Sequence, residues 1–172
     1  MRVGGFQATN TAIQNPFTFY TVSNNDWSST HNYDYWNKNF TSDPGITNAA
    51  IAKTIYSPSP SGYVEPKTAA FTGFTLTGGN TTNGDQYNVS GSFNKGWNFY
   101  TNGWKTGGTI FFPALGWRQY NGITCSLLEG FGMTVGAANQ NRTIRLGFSS
   151  SYLDWGPMVK YFGFTVRPVL DK

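Results

Sequence analysis

Short runs in which apolar and polar residues alternate are the clearest pattern in this chain. In Thr143-Ile144-Arg145-Leu146-Gly147-Phe148, a period of two puts Ile144, Leu146 and Phe148 on one face and Thr143 and Arg145 on the other. Phe162-Gly163-Phe164-Thr165-Val166-Arg167 alternates in the same way and predicts a last strand. Phe17 to Val22, Tyr87 to Phe93, Trp97 to Tyr100 and Thr109 to Leu115 have the β-branched and aromatic content of further strands. Helical stretches rich in Ala, Leu, Glu and Lys are almost absent. The best helix start is Pro66-Lys67-Thr68-Ala69-Ala70-Phe71, with proline at an N-terminal position. A short helical turn is also expected within Asn48 to Tyr56, ended by Ser57-Pro58-Ser59-Pro60-Ser61-Gly62. Asn24 to Asp43 reads as an ordered loop region pinned by Trp27, Tyr35 and Trp36.

Composition narrows the class. Aromatic residues make up 17% of the 172 positions and charged ones only 12%, the reverse of a disordered chain. The length suits one domain better than two. The net charge of +4 comes from scattered Lys and Arg with no basic stripe, so nucleic acid is not an expected partner. No apolar run is long enough for a membrane span, and membrane insertion is not expected. Met1 to Gly5 shows no signal-peptide apolar region.

Catalytic chemistry finds little support. His31 is the only histidine and sits in Thr-His-Asn-Tyr with no motif around it, so it reads as an ordinary surface histidine. Cys125 is the only cysteine, which excludes an internal disulfide and a multi-cysteine metal site. Glu65, Asp85, Glu129 and Asp154 show no spacing that singles out an acid–base pair. Gly103 to Gly108 lacks the Lys-Ser/Thr ending of a phosphate loop. The chain therefore reads as a non-enzyme, with no catalytic residue, metal or cofactor expected.

Binding is better supported. Thr124 to Thr134 and Ser149 to Phe162 are punctuated like loops by Gly130, Gly132, Gly156 and Pro157, yet crowded with large apolar side chains. Other loops, such as Thr77 to Asp85, are Asn, Thr and Gly. Apolar loop residues either pack on the core or make a binding patch.

Ordered landmarks also carry a family resemblance. Pro60-Ser61-Gly62-Tyr63, Pro66 and Ala70-Phe71 resemble the opening of a Bacteroidetes-type C-type-lectin-like domain. Phe111-Phe112-Pro113-Ala114-Leu115-Gly116-Trp117-Arg118 is similar to its "Phe-Leu-Pro-Ala-x-Gly-Tyr-Arg" strand. Gly163-Phe164-Thr165-Val166-Arg167-Pro168-Val169 is similar to its closing "Gly-Phe-Ser-Val-Arg-Pro-Val" strand. Ser59 stands where the family often has cysteine, and Gly130-Phe131-Gly132-Met133-Thr134 lacks the family's tryptophan. A calcium-lectin ligand set is not expected, since Glu65-Pro66-Lys67 puts an ammonium where an oxygen donor is needed.

The resemblance implies an α+β fold, mostly β and irregular loops, of C-type-lectin-like type with short helices. One domain would span 1–172, with 1–52 as an N-terminal extension and 53–172 as the core. It also implies a variable protein diversified by a retroelement, with residues 117–162 as the ligand-contacting stretch. The mix at Tyr152, Leu153 and Asp154 fits adenine-directed change of Asn codons. The expected binding residues are Gln119, Tyr120, Leu128, Phe131, Met133, Asn139, Asn141, Arg145, Tyr152, Asp154, Trp155, Met158, Lys160 and Tyr161. Arg145 and Lys160 would supply charge-assisted contacts and the aromatics rigid apolar area. The expected role is a receptor-binding adhesin on a virion tail fibre, a homotrimer being open to it, with a host-surface protein or glycan as receptor. The alternatives are a bacterial cell-surface or pilus-associated adhesin, and a structural fibre cap. An enzyme on the related formylglycine-generating scaffold would need two active-site cysteines.

Overall fold

A computed structural model describes residues 2–4, 14–15, 17–21, 32–139 and 141–171. The chain is mostly β, arranged in several small sheets with almost no helix. Strands β1 (Arg2–Gly4) and β2 (Phe19–Thr21) pair in parallel. Strand β3 (Tyr63–Val64) pairs antiparallel with the last strand, β12 (Val169–Leu170). Between them lie two three-stranded antiparallel sheets, β4 (Val89–Ser90), β5 (Gly96–Tyr100) and β6 (Thr109–Pro113), then β9 (Gly130–Asn139), β10 (Arg142–Phe148) and β11 (Leu153–Val159). The hairpin β7 (Trp117–Arg118) and β8 (Thr124–Cys125) joins the two sheets in sequence.

The alternation in β10 does what its pattern predicts. Leu146 and Phe148 face a core of Phe71, Tyr87, Trp97, Phe99, Phe112, Leu153 and Trp155. Phe99 meets Phe148 edge-on at 5.8 Å, and Phe74 stacks on Phe99 at 3.8 Å. The Trp97 indole donates to the Ser149 carbonyl at 2.9 Å, so this ring is buried with its polar atom satisfied. Each such side chain contributes about 1.5–3 kcal/mol from burial. A second cluster joins Tyr35, Trp36, Phe40 and Val135. Trp27 and His31 lie outside the described residues.

Several expectations are corrected. The segment at Pro66–Phe71 makes turns, and the 3-10 turn Thr72–Phe74 follows it, where an α-helix was expected. The Thr68 hydroxyl bonds the Gly45 carbonyl at 2.7 Å and accepts from the Thr47 amide at 2.8 Å, while the Pro66 carbonyl is taken by Val135. Side-chain and cross-chain bonds thus compete with helical ones. Residues 48–56 hold no helix either. The buried Asn37 amide captures this backbone, donating to the Ala50 carbonyl and accepting from the Ala52 amide.

The apolar "loops" prove to be largely strands. Gly130 and Gly132 lie inside β9, and Gly156 and Pro157 inside β11. Proline is tolerated because β11 is a sheet edge. Conversely, residues 162–167 form no strand of their own and make only single bridges, Arg118 to Gly163 and Gly132 to Thr165.

Candidate functional site

Because β9, β10 and β11 pair antiparallel, opposed residues share a face. Leu146 opposes Gly132 and Trp155, and these look into the main core. Arg145 opposes Met133 and Gly156, while Gly147 opposes Phe131 and Asp154. These residues form the sheet's second face. On it the Arg145 guanidinium donates to the Asp154 carboxylate at 2.5 Å and lies 5.1 Å from the Phe131 ring. Gly147 leaves room for the pair, since a Cβ would lie 2.4 Å from the Arg145 guanidinium and 2.6 Å from the Asp154 carboxylate and would push these side-chain ends aside.

Beside this pair, the Tyr152 hydroxyl donates to Glu129 at 3.0 Å. Burial, and then the Glu129 carboxylate, push the Tyr152 phenol well above the ordinary tyrosine range. The Arg145 Nε is buried with no hydrogen-bond partner. The face therefore carries a guanidinium, two carboxylates and a neutral phenol, with Tyr152 and Asp154 half-exposed beside Asn80 to Thr82 in an open polar hollow. Such groups suit hydrogen bonding to a polar ligand. Among the described residues no three of His, Cys, Asp and Glu come together as a metal-ligand set.

The β7–β8 hairpin borders this face. Gly116 begins the excursion at φ +68°, and a Cβ there would lie 2.0 Å from the Cys125 carbonyl oxygen. Gly130 ends it, where a Cβ would strike the Phe148 ring at 1.9 Å. Between these points the chain exposes Tyr120 (48%), Ile123 (57%), Leu127 (64%) and Leu128 (67%), just after Leu115 (52%). A chain of rings links the hairpin to the sheet. Tyr120 meets Tyr161 at 5.7 Å, Tyr161 meets Phe162 at 4.8 Å, and Trp117 meets Phe131 at 4.8 Å. Trp117 also contacts Phe162, at 6.3 Å.

The fourteen expected binding residues thus divide. Phe131, Met133, Arg145, Tyr152, Asp154 and Met158 share the second face of the sheet. Gln119, Tyr120 and Leu128 belong to the hairpin and its following loop, with Tyr161 against Tyr120. Asn139 and Asn141 flank the β9–β10 turn, at the other end of the sheet, where Asn139 caps the Asn141 amide. Four expectations of outward display fail. Trp155 is on the core face at 6% exposure, because the pleat places it opposite Leu146. Phe131 is wedged between Trp117 and Phe164. Arg145 is turned onto Phe131 and Asp154, and Lys160 is buried, donating to the Asn32 carbonyl at 2.6 Å with its ammonium 5.4 Å from the Tyr35 ring.

Sequence reasoning missed Leu127 and Ile123, more exposed than Tyr120, and gave Glu129 no binding role. The signal for the first two was present in a turn-like stretch too short to bury its own leucines. Glu65 is structural, fully buried and bonded by the hydroxyls of Ser57 and Ser59. Lys67 donates to the Asn48 carbonyl at 2.9 Å. No helix among the described residues is long and apolar enough to cross a membrane. Comparison with protein-family models, curated proteins and solved structures finds no match.

Proposed function

We propose that this chain is a recognition domain of the C-type-lectin-like type, an adhesin whose contact surface is the β7–β8 hairpin and the adjoining polar face of the β9–β10–β11 sheet. The observation that carries the reading is the run of large apolar side chains at Leu115, Tyr120, Ile123, Leu127 and Leu128, each about half exposed or more. Folded domains bury most such side chains, and a concentration of exposed ones within one short segment is what an interaction surface requires. The polar cluster at Glu129, Tyr152, Arg145 and Asp154 lies beside it and gives directional contacts to an otherwise apolar patch. The sequence landmarks around Pro60, Pro113 and Pro168 support a retroelement-diversified protein, with a phage tail-fibre tip as first reading and a bacterial surface or pilus adhesin as second.

The test is adsorption of the fluorescently labelled chain to a panel of whole bacterial cells. Saturable binding to a subset of strains is expected, with a loss of about tenfold or more when Leu127 and Leu128 are both changed to Ser. Concentration-dependent self-association that the same double change abolishes, without cell binding, would replace the adhesin reading by that of a fibre cap. Sequencing the neighbouring DNA tests the diversification separately. A reverse transcriptase gene and a near-copy of the 117–162 coding stretch, differing at adenines, are expected.

A further inference from the structure

A cavity of about 290 Å³ lies along the edge of β9. Its walls are Phe71, Phe112, Phe131, Phe148, Met133 and Val166. The fully buried Phe148 forms its floor, and the exposed Leu115 and Thr165 bring it to the surface. Its roof is the segment 165–167, fixed by the Met133 amide bonding the Thr165 carbonyl at 2.9 Å and by the Thr165 hydroxyl donating to the Phe131 carbonyl.

One cation lines this apolar chamber. The Arg167 guanidinium stacks on the Phe112 ring at 4.4 Å and spends one N–H on the Phe111 carbonyl at 2.8 Å. Among the described residues no carboxylate is paired with it, and a guanidinium has five N–H donors. An apolar cavity of ~150 Å³ accommodates benzene, so this one has room for a group about twice that size. Small-molecule sites typically combine apolar walls with a few placed polar groups.

We infer that this cavity binds a small amphipathic carboxylate, with its apolar body against the phenylalanines and its carboxylate on Arg167. The cavity shares Leu115 with the hairpin surface, but Arg167, Phe112 and Val166 lie outside that surface, and occupancy of the cavity does not depend on the adhesin reading. The chemistry requires both parts. An alcohol of equal length has the apolar body without the charge, and a short carboxylate has the charge without the body.

Isothermal titration of the full chain with decanoate, 1-decanol and acetate, each below its aggregation concentration at neutral pH, tests this. Decanoate is expected to bind with one-to-one stoichiometry and to raise the melting temperature. Decanol should bind about tenfold or more weakly, and acetate should show no heat. Arg167→Gln should remove the preference for decanoate over decanol, and Val166→Trp should exclude both while the circular-dichroism spectrum is kept. Equal binding of decanoate and decanol by the unaltered chain, or binding of neither, overturns the inference. So does decanoate binding that survives Val166→Trp unchanged. If Val166→Trp does not fold, displacement of decanoate by 2-naphthoate decides in its place, and failure to compete counts against the cavity.

Discussion

The two faces of the β9–β10–β11 sheet come from alternate residues of the same three strands and carry opposite chemistry. On one, Leu146, Phe148, Leu153 and Trp155 meet the rings of the β5–β6 sheet. On the other, Arg145, Asp154, Tyr152 and Glu129 hold one another through charge-assisted and phenolic hydrogen bonds, and the cover is partial. The first face fixes the fold. The second mixes these polar groups with the buried Phe131 ring and with Met133, and its Glu129 end adjoins the exposed leucines of the hairpin. A period-two strand lets a chain separate these duties residue by residue.

Substitutions on each face sharpen that division. The largest effect is expected from Phe148→Ala, which removes the ring that Phe99 and Gly130 pack against and should cost about 3–5 kcal/mol in urea unfolding. Asp154→Ala comes next. It leaves Arg145, 8% exposed, without the carboxylate paired with it, and should cost about 1–3 kcal/mol, less than a fully buried pair because the Asp154 side chain is 30% exposed. If the two changes cost the same, the polar face is as structural as the core and the division fails.

Tyr152→Phe should cost about 1 kcal/mol at neutral pH, and it has a pH signature. The folded chain holds the Tyr152 proton more tightly than the unfolded chain, whose phenol loses it near pH ~10. This contribution is therefore complete below that pH and is lost as pH rises beyond it. Urea midpoints at pH 9 and pH 11 should fall further for the unaltered chain than for Tyr152→Phe. The smallest stability effect, within about 0.5 kcal/mol, is expected for Leu127→Ser with Leu128→Ser, since both side chains are already in solvent. A large fall in melting temperature there would show that these leucines belong to the core.

How much was legible in the sequence follows from the same distinction. β10 is legible almost residue for residue because the apolar Ile144, Leu146 and Phe148 alternate with the polar Thr143 and Arg145, although both faces are buried. β5 and β6 were equally plain. The sequence marks 124–134 and 149–162 as loop-like, which covers the first half of β9 and all of β11, because Gly130, which makes room for Phe148, and the edge proline are also common loop signals. That error carried into the site. Treating 149–162 as a loop gave Trp155 the same outward status as Asp154, whereas neighbours on a strand point to opposite faces. Arg145 was placed on the correct face, but its turn onto Phe131 depends on a partner strand that local periodicity does not contain. The 66–71 helix failed for a similar reason, since Thr68 bonds a carbonyl 23 positions away.

Gly116 and Gly130 bear on how this protein could change over generations. Each sits where any side chain would collide, with the Cys125 carbonyl in one case and the Phe148 ring in the other. They act like two hems on a piece of cloth, beyond which the weave cannot be altered and between which it can. The 119–122 tip falls between these two points, and substitutions there reach the sheet through the Tyr120–Tyr161 ring contact. A change at the tip that keeps an aromatic ring at position 120 therefore spares both fixed points and the contact that ties the tip down.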